Sequence, residues 1–493
     1  AALESMLDAA LVPALVLLAA AAVRLFDLVS QPGGLYPDEG AEGLDAYRLL
    51  HLPGYHPVFF TSDAGREALY GYIVAAAFKV FGAGVEVLRG VSAGLGVVGV
   101  LLIYLALRRF GRGAALAGMA WSAGALWLVC ISRDGMRNIL ALVLAAGLLW
   151  ALLRWVNLPG RNSALVAGAV AGAGLWTYQP LKLAPLLVAA LVGWVLWQDR
   201  PRLRPVARTL GWLGAAYLVV AAPMIVTAVV DPGLYFGRAV GVSAINPANG
   251  GVGIVEHTVQ TLLMFTTTGD PNPRHNVASL PMLGWPLFLV AGAGVVRAWR
   301  RRRDPGHGLL LLGLVVFMIP PLVAVDGGVP HFLRSIAIAP FLAGLIGQGC
   351  VELVDLARRP ERGWLVGGAT VALAALLVGT GAAATATYLG RPVADRYEAY
   401  SFDIVAAAQQ AAAPGSALVI DEYNQLDTDF LDAASPPEVF RPGVRIDRPG
   451  RFRRVVALSR DDLAAALGPA TAARASVVES DPQGRPRVFV VTP

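Results

Sequence analysis

Apolar residues come in long unbroken runs, separated by short stretches that are rich in arginine or in turn-forming residues. A helix that crosses a bilayer needs about 20 mostly apolar residues. Runs of that order lie near 9–29, 86–107, 113–131, 138–156, 163–178, 180–197, 209–230, 280–299, 307–325, 332–352 and 364–389, and they predict eleven membrane helices. Several contain Gly or Pro, which membrane helices tolerate where neighbours satisfy the freed backbone groups. Two further stretches, "REALYGYIVAAAFKVFG" at 66–82 and "GIVEHTVQTLLMFT" at 253–266, are apolar but too short to span, and read as helices lying in the interface plane. Beyond residue 390 the pattern changes. There "SALVID", "RRVVALS" and "RPRVFVV" alternate as short strands do, "DDLAAALG" is helical between two of them, and a helix near 395–413 leads in. The pattern therefore divides the chain into a membrane region, 1–389, and a soluble α/β domain, 390–493.

Composition agrees with this plan. Of 493 residues, 56% are hydrophobic and 15% charged, against about 25% charged in soluble domains, and the mean hydropathy is +0.59. The net charge of +6 does not point to nucleic acid, because the basic residues cluster between apolar runs. The clusters are Arg108, Arg109 and Arg112; Arg154 and Arg161; Arg200, Arg202, Arg204 and Arg208; Arg297 and Arg300 to Arg303; and Arg358, Arg359 and Arg362. Such clusters mark the cytoplasmic side. They place the N-terminus inside, and the loops at 30–85, 132–137, 178–180, 231–279 and 326–331, with the tail, outside the cytoplasm. Glu4 and Asp8 near the N-terminus run against this orientation and are outweighed. The first span reads as a retained anchor rather than a cleaved signal. Two cysteines, Cys130 and Cys350, both within apolar runs, support neither a disulfide framework nor a cysteine zinc site.

The first outer loop opens with "YPDEG". Pro37 suits a first helical turn, and acidic residues there complement the helix dipole. Asp38, Glu42 and Asp45 then share a helical face, while Glu39 lies a quarter-turn away. Glu42 and Asp45 read as a solvated face. Asp38 and Glu39 sit at the water–lipid boundary, where a carboxylate can take a proton from an acceptor hydroxyl beside a lipid-borne substrate. A phosphate leaving group requires cations to neutralise its developing charge, and the outer loops supply Arg66, Arg133, Arg137, Lys182, Arg238, Arg274, His275, His331 and Arg334. GxSxG, P-loop, HExxH and CxxC patterns do not occur, and the six histidines are scattered, so no metal cluster is expected. In the tail, Asp421, Glu422, Asp427 and Asp429 of "ALVIDEYNQLDTDF" read as a solvated loop between a strand and a helix.

These pieces together resemble the polytopic GT-C glycosyltransferases, in the branch that includes protein O-mannosyltransferases and lipid A aminoarabinose transferases. The resemblance rests on "PDE" after the first span, "REALYGYIVAAAFKVFG", "VLRGVSAGLGVVGVLLIYLALRRFG", "SRDGMRN", "GLWTYQPLKLAPLL", "GDPNPRHN" and "PHFLRSIAIAP", which cover most of residues 20 to 345. It implies an integral enzyme of a bacterial plasma membrane. Such an enzyme moves a sugar from a polyprenyl-phosphate donor to a protein, lipid or glycan hydroxyl outside the cytoplasm, with inversion and without cofactor or catalytic metal. By position, Asp38 would be the base and Glu39 would orient the acceptor or sugar. Arg66, Arg274, Arg334 and His331 would contact the donor phosphate, with Tyr36, Arg133, Arg137, Tyr178 and Lys182 around the pocket. The segment at 66–82 lacks a double proline, and Lys182 stands where arginine is expected. A transporter or lipid flippase would place ionisable groups near the bilayer midplane on broken helices, and here most lie at span ends. A non-catalytic scaffold would have no use for acids and cations that share one face.

Overall fold

The structure, a computed structural model, describes residues 2–62, 65–244, 246, 249, 253–358 and 364–493, with side chains from residue 10 onward. Arg359 and Arg362, and the side chains of Glu4 and Asp8, lie outside the described residues. Helix α1 (Ala2–Leu25) is followed by α2 (Pro37–His51), a two-stranded ribbon of β1 (Phe59–Phe60) and β2 (Arg66–Glu67), and α3 (Leu69–Phe81). The helices α4 (Val85–Leu107), α5 (Arg112–Gly124), α6 (Leu126–Arg133), α7 (Ile139–Asn157), α8 (Arg161–Ala173), α9 (Ala184–Gln198) and α10 (Arg200–Val230) come next. An outer loop holds α11 (Pro232–Gly241) and α12 (Ile254–Leu263). The membrane region closes with α13 (Gly284–Arg300), α14 (Pro305–Phe317), α15 (Ile319–Val323), α16 (Ala339–Ala357) and α17 (Trp364–Leu389).

All eleven apolar runs are helical, but they are not eleven full spans. Among the described residues, seven helices are long and apolar enough to cross a membrane, and an eighth if the pair α5 and α6, bent by 57°, counts as one. The segment Ala10–Leu25, α8 with 13 residues and α13 with 17 are shorter. The apolar runs there extend into turns: Gly174–Trp176 tightens into a 3₁₀ turn, and Gly284, with φ +70°, opens α13.

Two arginines replace the bonds lost where helices stop. The break after Gly124 frees carbonyls of α5, and Arg24 of α1 donates to those of Ala123 (2.8 Å) and Ser122 (3.0 Å). In return Arg133, at the end of α6, donates to the carbonyls of Val23 and Arg24 in the last turn of α1 and of Phe26 and Gln31 in the segment after it, at 2.6 to 3.0 Å. Arg133 is thus fully buried in a capping role, and the expectation that it lines a substrate pocket is corrected.

The tail forms α18 (Phe402–Ala411), β3 (Ser416–Val419), α19 (Gln425–Leu431), β4 (Glu438–Phe440), β5 (Arg454–Ala457), α20 (Arg460–Leu467), α21 (Pro469–Ala472), β6 (Ser476–Ser480) and β7 (Pro486–Val491). Its sheet has the order β4-β3-β5-β7-β6, with β3 parallel to β4 and β5, and β7 antiparallel to β5 and β6. The three expected strands and the α20 helix are present, while β4, β6 and α19 complete the domain. Helix α19 lies on α2. It comes so close that a Cβ on Gly40 would collide with Asp427 and one on Gly43 with the Phe430 ring.

Candidate active site

Helix α2 has its first turn fixed from inside. Glu39 accepts from the Tyr36 N–H (3.2 Å), from the Gly135 N–H (2.8 Å) and twice from the Arg89 guanidinium (2.8 Å each). One helical turn on, Glu42 pairs with Arg137 (2.9 Å) and Arg66 (3.2 Å), and Asp45 pairs with Arg66 and accepts from Ser62 Oγ (2.6 Å). Arg137 also reaches Glu67 (3.3 Å). Glu39, Glu42, Asp45 and Arg66 are all at or below 1% exposure. Three expectations change here. Glu42 and Asp45 do not face water, because Arg66, Arg137 and Ser62 close over them. Arg66 does not open a phosphate site but neutralises those two acids from strand β2. Glu39, with both oxygens engaged, holds the helix and is not on the cavity wall.

At the start of the same helix, Asp38 lines a cavity of about 560 Å³. Asp38 Oδ1 accepts from the Tyr423 hydroxyl (2.9 Å), and Oδ2 lies 3.5 Å from Arg238. Burial pushes the Asp38 carboxyl up, but Arg238, Arg274, Arg137 and the Tyr423 hydroxyl outweigh it and hold it below the usual carboxylate range. The Tyr36 ring carries the Arg274 guanidinium at 3.4 Å from its centroid. Lys182, Arg238, Arg274 and Arg334 line the cavity against the carboxylates Asp38 and Asp326. Lys182 is steered by Glu67 (3.5 Å) and the Tyr235 ring (3.8 Å), and Arg334 donates to the Ala324 carbonyl (2.9 Å). The lining also includes the apolar side chains of Phe236, Val242, Ile319, Pro320 and Val323. Tyr178 and His331 also line the cavity, whereas Arg137 stands behind it among Glu42 and Glu67.

Sequence reasoning missed three features of this region. Tyr423 comes from the tail, 385 residues from its partner Asp38, and nothing local marks it. Asp427, read as part of a solvated loop, is fully buried against Gly40, with neither carboxylate oxygen hydrogen-bonded. Its carboxyl is pushed well up by burial and by Glu39 and Asp38. The histidines, scattered along the chain, converge at one point: His275 Nδ1 is 3.0 Å and His331 Nδ1 3.9 Å from Asp270 Oδ2. Burial pushes both imidazoles down, so they are neutral at neutral pH.

Comparison with known proteins agrees with this architecture. Residues 68–227 match the family model of dolichyl-phosphate-mannose-protein mannosyltransferases. No curated protein sequence matches the chain. Among solved structures, ArnT from Cupriavidus metallidurans bound to undecaprenyl phosphate is 15% identical. It superposes with a TM-score of 0.61 over 100% of this chain and 98% of that one. The oligosaccharyltransferase of Archaeoglobus fulgidus in the apo form is 14% identical with a TM-score of 0.58, over 94% of this chain and 72% of the other. At such identities the likeness establishes the fold.

Proposed function

Taking the GT-C glycosyltransferase fold as premise, we propose that this chain is an inverting membrane glycosyltransferase that moves a sugar from a polyprenyl-phosphate carrier to an acceptor hydroxyl on the extracytoplasmic face. The observation that carries this reading is the mixed charged and apolar lining of the cavity. Asp38 with Arg274, Arg334, Lys182 and Arg238 shares the lining with Phe236, Val242, Ile319, Pro320 and Val323, a mixture that suits a phosphate attached to a lipid chain. A similarly folded protein holds undecaprenyl phosphate, and this supports the choice of ligand class.

In this mechanism Asp38 accepts the proton of the acceptor hydroxyl as its oxygen bonds to the anomeric carbon. The bond from that carbon to the phosphate oxygen breaks, and the phosphate leaves carrying the electron pair. Arg274, Arg334 and Lys182 neutralise the charge that builds on it. A carboxylate held below its usual range stays ionised and ready, and it serves because the hydroxyl becomes acidic only as the new bond forms. Tyr423 and Arg238 each engage one Asp38 oxygen, and the second lone pair of either oxygen can accept from an acceptor hydroxyl. Orientation follows the arginine clusters, with the N-terminus in the cytoplasm and the cavity and tail outside. Mass spectrometry of lipids that co-purify with the protein tests the donor. A polyprenyl phosphosugar is the expected result, and purified protein that shows no turnover or binding of such donors refutes the reading.

A further inference from the structure

We propose that Asp270, His275 and His331 form a binding site for a divalent transition metal of the zinc class, set in the wall of the cavity. Each side chain offers one ligand atom, and these atoms all lie within 4.8 Å of one another. A tetrahedral ion at bonds of about 2.0–2.1 Å holds its ligands roughly 3.3–3.5 Å apart. The separations of 3.0 Å and 3.9 Å from Asp270 Oδ2 to the two imidazole nitrogens bracket that value.

The arrangement is built rather than incidental. Asp270 Oδ1 accepts from the Asn272 N–H (2.8 Å) and Oδ2 from the Phe332 N–H (2.7 Å), so the main chain orients the carboxylate, as outer-shell partners do for metal ligands. A plain hydrogen bond from His275 to Asp270 accounts for one imidazole but leaves the other unexplained. His331 Nδ1 is buried, lacks a hydrogen-bond partner, and is too far from Asp270 for a bond of its own. The two rings lie 4.9 Å apart and tilted by 37°, so they are neighbours without being stacked face to face. Two imidazoles and one carboxylate suit zinc-class ions rather than calcium or magnesium. Three protein ligands also leave a fourth position open, and both histidines line the cavity.

The site ties the loop around Asp270–His275 to the turn at His331, the two segments that carry Arg274 and Arg334. It adds positive charge beside those arginines, so an anion in the cavity and the ion favour each other. This inference goes beyond the transferase reading, does not depend on it, and replaces the sequence-based expectation of a metal-free site.

The test is metal stoichiometry. Full-length protein in detergent is stripped with chelator, dialysed against Zn²⁺, and its metal content measured; Co²⁺ in place of Zn²⁺ gives the ligand-field spectrum. The wild type is expected to hold one equivalent with the visible bands of a tetrahedral cobalt site. His275→Ala and His331→Ala are expected to lose that equivalent, while His51→Ala, at an exposed position, keeps it. If the alanine variants fail to fold, His331→Gln and the wild-type Co²⁺ spectrum decide. A wild type that retains no ion, a featureless cobalt spectrum, or equal binding in folded His275 and His331 variants overturns the site. Protein that binds no metal yet transfers sugar overturns this inference alone.

Discussion

Glu39→Gln separates a residue that holds the site from one that works in it. In the wild type Glu39 carries two 2.8 Å bonds to Arg89 and one to the Gly135 N–H. Both Glu39 and Arg89 have zero exposure. Glutamine leaves the Arg89 cation buried without a counter-charge, beside the carbonyls of Leu28, Gly33 and Gly34 at 3.0 to 3.2 Å. Removing one partner of a buried pair costs about 3–5 kcal/mol. The amide oxygen of Gln still accepts one bond, so Glu39→Gln falls at the low end and Glu39→Ala at the high end. Against a typical stability of about 5–15 kcal/mol, either loss is large. Heating detergent-solubilised protein and following the monodisperse fraction by fluorescence-detected size exclusion is expected to rank wild type above Gln and Gln above Ala. The fraction that stays folded should turn over with unchanged KM for donor and acceptor. A Glu39→Gln protein as heat-resistant as the wild type yet lacking turnover would refute this reasoning and return Glu39 to the reacting groups.

Asp38→Asn is expected to abolish transfer with unaltered folding, and near-normal turnover would remove Asp38 as the base. Because Asp38 is held below the usual carboxylate range, its ionised form persists at mildly acid pH. Activity is lost only as pH falls through that lowered value. Tyr423→Phe removes a lowering contact, so the acid limb of the pH–rate profile moves to higher pH, and a limb that does not move refutes the contact's role. Arg66→Ala should lower stability by about 3–5 kcal/mol because it removes the buried cation that Glu42 and Asp45 share and leaves them only Arg137, Arg48 and Ser62, while donor KM stays unchanged in whatever remains folded. Arg334→Ala, in contrast, should raise donor KM more than acceptor KM at near-normal stability, measured in steady-state assays with each substrate varied.

That the apolar runs form helices was legible because long apolar runs have few alternatives to burial in lipid, although among the described residues only seven or eight are long enough to cross a membrane. The helix ends were not, since Gly284 and the turn at Gly174–Trp176 use apolar residues outside helices. Asp38 was legible as an acid in a first helical turn at the membrane boundary. The environment of its neighbours was not. A helical wheel shows which residues share a face, but not that Arg66 and Arg137 close over that face, and so the acid pair Glu42 and Asp45 read as solvated. Arg66 was misplaced for the same reason, since its charge signals a partner without saying whether that partner is a ligand or a buried acid. Tyr423 and the meeting of His275 with His331 depend on contacts across long stretches of chain, which neither periodicity nor local motif encodes.

The reciprocal caps between α1 and the bent pair α5–α6 set terms for how the chain is made. When α1 emerges it carries Arg24, and the carbonyls that will satisfy Arg24 belong to residues 122 and 123. The carbonyls at its own end wait for Arg133. Until about a hundred further residues are synthesised, the first helix therefore lacks these partners for the cation and the carbonyls of its last turn. It must be kept in the insertion machinery or near the headgroups rather than released into lipid. Nascent chains arrested before residue 133 should stay associated with that machinery, while chains extended past α6 should leave it. Assembly of this bundle is thus completed from the middle of the sequence back to its beginning.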